Sequence, residues 1–204
     1  MKFLFLAQIS MVAYLTGKFA YKNPTVVYIE ANGVGYEVNI SLNTYTQIQN
    51  LSEGKLFTHL QIKEDSHTLY GFFDIAEKEM FLMLISVSGV GAATARMMLS
   101  NMLPAEISKA IMQGNSKLLE SVKGIGKKTA ERLVLELKDK VSKQPSEGIV
   151  NFSKGNSLQQ DALNALVALG ISKSVAEYSV NKILSENPSE NQLEQIIKKA
   201  LKAI

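Results

Sequence analysis

The chain of 204 residues contains no cysteine, which excludes structural disulfides and thiolate metal ligands. Histidine is almost as scarce. His59 and His67 are the only imidazoles, too few for a zinc site, so neither metal nor cofactor is expected. Both rings are read as surface or half-buried positions near strand ends. Long apolar runs are missing as well. The opening "MKFLFLAQIS" is interrupted by Gln8 and Ser10, falls short of the about 20 apolar residues that span a bilayer, and lacks a small-residue cleavage site. Residues 1–10 are read as an extension ahead of the first domain, and the protein is expected in the cytoplasm.

A nucleotide-binding loop is also lacking. The stretch "KGIGKKTAERL" from Lys123 to Leu133 invites comparison with a P-loop, which requires Gly, four residues, then Gly-Lys-Ser/Thr. Here Lys128 follows Gly126-Lys127, and Ser121 stands five positions before Gly126. The preceding "SKLLESV" has the pattern of a helix, not a strand. No ATPase activity is expected of this chain.

What is present is an uneven charge. The net charge is only +3, but residues 89–143 carry ten bases against five acids, whereas residues 11–75 carry four against six. Residues 144–204 balance at six each. A basic middle flanked by neutral or acidic segments points to a polyanionic partner held at one place.

The patterning divides the chain into segments with different periods. Over 11–75, "TVVYIEANGVGYEVNIS" sets two β-rich runs around Asn32-Gly33, a strong hairpin signal. A second pair follows, with Glu64-Asp65-Ser66 as the connection between strands. About five short strands predict a small OB-like barrel, with Tyr28, Tyr36, Phe57, Tyr70 and Phe72 serving mostly as core. Over 76–141 the period becomes helical, and Pro104 is placed to open a helix. Residues 142–157, "SKQPSEGIVNFSKGNS", are eleven-sixteenths Ser, Gly, Asn, Pro or Lys and read as a flexible tether. Residues 158–204 predict three short helices. In the last, Ser189 and Gln192 suggest a capping box, and Leu193, Ile196, Ile197, Ala200, Leu201 and Ile204 an apolar face. The expected fold class is therefore α+β.

Within the basic segment a unit recurs. "SVSGVGAATARMML" (86–99) and "SVKGIGKKTAERLV" (121–134) agree at six of fourteen positions at an offset of 35 residues. Each copy reads helix, hydrophobic-Gly-hydrophobic-Gly hairpin, helix. The glycines permit φ > 0 and close approach of a flat surface, and the following helix turns its unpaired N–H groups outward. Such a unit grips phosphate without touching a base edge. The residues expected to carry it are Gly89, Val90, Gly91, Ala92, Thr94 and Arg96 in the first copy. In the second they are Gly124, Ile125, Gly126, Lys127, Lys128, Thr129 and Arg132. Val90 and Ile125 brace their hairpins from behind. A single Gly-x-Gly corner would be weak evidence, since many helix–turn–helix corners contain glycine; two copies in the one basic segment weigh far more.

With "GVGYEV" (33–38), "KEDSHTLYGF" (63–72) and "GIGKKTAERLVLELKDK" (124–140), this tandem helix-hairpin-helix resembles the RuvA family of bacterial Holliday-junction-binding subunits. The resemblance covers residues 11–204. It implies an N-terminal OB barrel, two helix-hairpin-helix motifs and a three-helix C-terminal domain that docks a motor. It also implies four-way junction DNA as ligand, a homotetramer, a RuvB-type hexameric ATPase and a junction-resolving endonuclease as partners, and no catalytic residues. Ala92-Ala93 departs from the family's basic residue at the first hairpin, and Lys123 from the proline that commonly precedes the second. On sequence alone Glu64-Asp65 reads first as a solvated turn; the resemblance implies an acidic pin that repels phosphate at the crossover. For motor docking the candidates are Leu166, Leu169, Ile171 and Leu201, with the alternative that they are core.

The rival class is a helix-hairpin-helix repair enzyme of the DNA glycosylase kind, with Lys127 or Lys128 and Asp139 as its chemical groups. Glu136–Lys140 spacing explains Asp139's surroundings as a solvated helix face instead. A passive duplex-binding protein is the third reading.

Overall fold

Asn32 and Gly33 adopt φ of 50° and 80°, the left-handed pair that a two-residue hairpin demands, and they join strand β2 (Val26–Ala31) to β3 (Val34–Ile40). This turn sits within the computed structural model, which describes residues 11–142, 158–186 and 192–203. The extension 1–10, tether residues 143–157, Ser189 of the expected capping box and Ile204 lie outside the described residues. The chain divides into two units, residues 1–149 and 150–204.

In the first unit β1 (Tyr14–Asn23), β4 (Glu53–Ile62) and β5 (His67–Phe72) complete a five-stranded closed barrel in the order β1-β2-β3-β5-β4. All pairs are antiparallel except β3 with β5, where Val38, Asn39 and Ile40 face Leu69, Tyr70 and Gly71 in parallel. Alternation puts Leu15, Phe19, Val27, Ile29, Val38, Ile40 and Leu56 inside. Tyr70 and Phe72 are core as expected, whereas Tyr28 is exposed. The α+β, OB-like reading holds.

One element was not anticipated. Helix α1 (Leu42–Ile48) stands between β3 and β4, where "SLNTYTQIQN" has too few apolar residues to show a period. Its ends are held from outside its own pattern. The Ser41 hydroxyl accepts from Thr44 N–H at the start. At the far end the Lys22 ammonium donates to the carbonyls of Ile48, Gln49 and Leu51.

Among the described residues of this unit five further helices follow: α2 (Ile75–Ile85), α3 (Ala92–Asn101), α4 (Pro104–Met112), α5 (Ser116–Glu120) and α6 (Lys127–Ser142). Pro104 is the first residue of α4. Phe81 on α2 is wholly buried and meets the rings of Tyr70, Phe72 and His59 at 5.1, 4.9 and 5.7 Å. His59 therefore lies in mid-strand rather than at a strand end, half-buried, and burial lowers its pKa below the usual imidazole value, followed by the nearby Lys78 charge. His67 is exposed at the start of β5. The apolar core runs unbroken from these β5 rings through the helices to Val141, so truncating Phe81 to Ala would cost about 3–5 kcal/mol.

The second unit has α7 (Leu158–Ala168), α8 (Lys173–Glu186) and α9 (Leu193–Lys202) around a small core of Ala162, Leu163, Leu166, Ala176, Val180, Ile183, Ile196 and Ala200.

Candidate nucleic-acid interface

The two copies of the repeated unit fold alike. Gly89 and Gly124 take φ of 93° and 96°, and Val90 and Ile125 turn inward to 5% exposure each. Val90 N–H donates to Val87 O at 3.1 Å and Ile125 N–H to Val122 O at 3.0 Å, so each hairpin is closed by one matching bond. The side chains of Val90 and Ile125 brace from behind, as expected, and present backbone alone to the outside.

Each following helix then starts at once. The first intrahelical bonds are Ala95 N–H to Gly91 O and Ala130 N–H to Gly126 O, both 2.9 Å. The amides of residues 92–94 and 127–129 precede them and have no intrahelical acceptor, the arrangement that receives an anion. Gly91 has φ −83° and ψ 165°, a conformation open to any residue. A Cβ on Gly91 or Gly126 would meet nothing within 4 Å. Neither internal packing nor backbone strain demands glycine at these two positions, whereas a surface pressed against the hairpin from outside would.

The copies also face each other. A Cβ on Gly89 would lie 3.7 Å from Thr129 Oγ1, and one on Gly124 would lie 3.9 Å from Thr94 Oγ1. Each threonine thus packs over the opposite hairpin, reciprocally. Arg132 adds a cross-link, its Nη1 donating to Ser88 O at 3.4 Å.

Charge is distributed less evenly. Lys127 and Lys128 are exposed at the head of α6, while Ala92 at the matching position is buried and Ala93 exposed. Arg132 pairs with Glu136 (Nε to Oε1, 3.2 Å). Lys140 Nζ donates to Ser86 Oγ at 3.2 Å, and Glu136, Asp139 and Lys140 are all exposed, the solvated helix face that their spacing suggests. Arg96, expected in the grip of the first hairpin, is tied to the barrel through one guanidinium nitrogen, Nη1 donating to Thr25 O (3.1 Å) and Asn39 Oδ1 (2.7 Å).

Glu64 and Asp65 are exposed in the β4–β5 turn, which is closed by Lys63 N–H to Ser66 O at 2.8 Å. Among the described residues no three acidic, histidine or cysteine side chains converge on a possible metal position. The glycosylase constellation does not assemble: Lys128 and Asp139 are eleven residues apart on one helix, roughly 16 Å at about 1.5 Å per residue.

In the second unit the docking candidates separate. Leu166 is corrected to core: it is fully buried at the centre of three helices and offers no surface. Ile171 is partly buried against that core, whereas Leu169 and Leu201 are 63% and 42% exposed. Exposed Val167, Val175 and Tyr178 were missed, because on α7 and α8 their spacing does not differ from that of core positions.

Also missed was Glu77, a buried carboxylate on α2. The Ser41 hydroxyl donates to Oε1 and the Thr44 hydroxyl to Oε2 at 2.5 Å. Burial pushes its pKa up, and these hydrogen bonds oppose the shift without cancelling it. Among the described residues no helix is long and apolar enough to cross a membrane.

Comparison with known proteins agrees along the chain. Residues 11–71 match the family described as RuvA N terminal domain, residues 81–139 the SAM-like helix-hairpin-helix tandem, and residues 157–204 the RuvA C-terminal domain. A protein of Cytophaga hutchinsonii is 48% identical over 197 residues, covering 94% of this chain and 99% of the relative. One of Christiangramia forsetii is 50% identical over 194 residues, covering 95% and 100%. One of Flavobacterium psychrophilum is 50% identical over 192 residues, covering 94% and 99%. All three bear the name Holliday junction branch migration complex subunit RuvA.

Proposed function

The chain belongs to the RuvA family, and from that premise we propose that it is the DNA-holding subunit of a branch-migration complex in homologous recombination and repair. It binds four-way junctions through phosphates, whatever the arm sequence, and catalyses no reaction itself. The observation that carries this reading is the pair of facing hairpins, whose outer glycines, Gly91 and Gly126, leave open space that the fold itself does not require. Phosphate enters against the amides of residues 92–94 and 127–129, with Lys127 and Lys128 adding long-range attraction. Because these contacts are made to backbone, they fix position and carry no base preference.

Selectivity comes from repulsion. In a homotetramer, four Glu64-Asp65 turns gather around one axis and exclude phosphate there, so strands leave the centre and continuous duplex is disfavoured. The second unit serves a RuvB-type hexameric ATPase through exposed Leu169 and Leu201, with Ile171 at their margin. A junction-resolving endonuclease takes the junction that this subunit holds open. Such a machine works in the cytoplasm.

A gel-shift competition between an immobile four-way junction and linear duplex tests the reading. The junction should win regardless of arm sequence, and equal affinity would leave only a passive duplex binder. Changing Glu64 and Asp65 to Asn should tighten duplex binding more than junction binding and narrow the ratio. Deleting residues 145–204 should spare junction affinity and abolish stimulation of the ATPase; a deletion that still drives migration would place docking elsewhere.

A further inference from the structure

Glu77 stands where the chain leaves the barrel for the helices. β5 ends at Phe72, Asp74 caps α2 by accepting from Glu77 N–H at 2.7 Å, and the Glu77 side chain reaches back to α1. The two hydroxyls it meets are oriented by backbone amides: Ser41 Oγ accepts from Thr44 N–H and Thr44 Oγ1 from Phe73 N–H, both at 3.0 Å. Each hydroxyl therefore has its proton left for one carboxylate oxygen. Ser41, Thr44 and Glu77 are all buried, and among the described residues no buried side-chain polar atom lacks a partner. A buried, fully satisfied network tolerates one arrangement and penalises the rest.

The far side of α1 is fastened too. Asn43 Nδ2 donates to Leu99 O and to Met102 O (3.2 Å), and Leu42 N–H to Ser100 Oγ at 3.1 Å. The short helix is thus held between α2 and α3, the helices that flank the first hairpin. At its other end β5 begins immediately after the Glu64-Asp65 turn and is paired on both sides, by β3 and β4. Its six residues span about 20 Å at about 3.3 Å each, so a tilt of about 10° at the joint would carry the acidic turn by about 3 Å.

We propose that the Glu77–Ser41–Thr44 clasp is a specificity-determining joint, which holds the acidic turn at a set position relative to the hairpins and so sets the preference for branched over continuous DNA. Glu77 is a positioning residue and touches no DNA. The proposal rests on reading Glu64 and Asp65 as the element that selects branched DNA, and its test separates the two.

Glu77→Gln keeps the volume but leaves one hydroxyl proton without its carboxylate oxygen. Thr44→Val removes the other link, and Thr44→Ser restores it. Junction and duplex affinities are measured for each as full-length protein, below its own melting temperature. Glu77→Gln and Thr44→Val should narrow the junction-to-duplex ratio by about fivefold, with Thr44→Ser near wild type and the salt slope of junction binding unchanged, since the hairpins are intact. In a Glu64→Asn/Asp65→Asn background Glu77→Gln should add nothing. A folded Glu77→Gln protein with the wild-type ratio overturns the proposal, and should that variant not fold, Thr44→Val decides on the same terms. Equal narrowing in both backgrounds also overturns it, because the clasp would then act by another route. If Glu64→Asn/Asp65→Asn by itself leaves the ratio unchanged, the acidic-pin reading has failed and takes this one with it.

Discussion

The hairpin at residues 87–91 and the hairpin at residues 122–126 have the same backbone and different chemistry. Their inner glycines share one φ to within a few degrees, their middle residues are equally buried, and each is overlain by the other copy's threonine. Yet the first is followed by Ala92-Ala93 and the second by Lys127-Lys128. The duplicated positions are those that make the turn, and the charges are not among them. Shape and charge are therefore separable in this unit: one hairpin shows what the backbone supplies alone, and its partner what lysine adds.

The largest effects should come from breaking the shape. At Gly124, φ of 96° is a region that valine resists, so Gly124→Val should cost about 1–3 kcal/mol of stability in urea unfolding as well as binding. Gly126→Val should cost no more than about 1 kcal/mol, the loss from replacing glycine by an apolar residue at a helix cap, while weakening junction binding at least tenfold, roughly the 1.4 kcal/mol expected of one blocked contact. If Gly126→Val binds normally at normal stability, the close approach of phosphate is wrong. The Gly91→Val variant should behave alike, since its space is also open.

Smaller effects should come from redistributing charge. Lys127→Ala with Lys128→Ala should make the slope of log K against log salt shallower by about two, at roughly 0.9 per phosphate neutralised. An unchanged slope would remove both lysines from the contact. Ala93→Lys should steepen it by about one and bring the first hairpin toward the second. Ala92→Lys should instead destabilise the fold, because that position is buried.

The smallest effect lies outside both hairpins. Burial raises the Glu77 pKa in the folded protein, so the folded state holds its proton more tightly than the unfolded chain does. Stability from this group is therefore greatest below the unfolded carboxylate pKa and falls as pH climbs from there through the raised value. Glu77→Gln should lack this decline when melting temperatures are compared across mildly acidic pH, with both hairpins unaffected.

Local signals were legible in the chain and long-range ones were not. Asn32-Gly33 specifies its turn within two residues, Pro104 opens its helix, and the glycine repeat announces itself by its offset. Helix α1 has one local signal, the Ser41 cap, but its far end and its buried face are held by Lys22 and Glu77, both distant in sequence. Glu77 in "AEKEMF" looks like any solvated acid until α1 closes over it. Arg96 was assigned by nearness along the chain, but the barrel lies across from it. Leu166 and Leu169 differ by three positions, a spacing that shares one face of a continuous helix, yet α7 ends at Ala168, so Leu166 is buried and Leu169, beyond the last turn, is exposed.

The closed order β1-β2-β3-β5-β4 has a consequence for how copies meet. A sheet that returns to its first strand keeps only short free edges: β3 pairs with β5 over Val38–Ile40 alone, and β1 with β4 over Tyr14–Lys18. Edges this short offer little for a neighbouring molecule's strand to extend, which leaves side-chain surfaces as the main means of recognising a neighbour. Such recognition has a finite, saturable geometry. It stops when the faces are used up, where an open strand would have gone on templating the next chain.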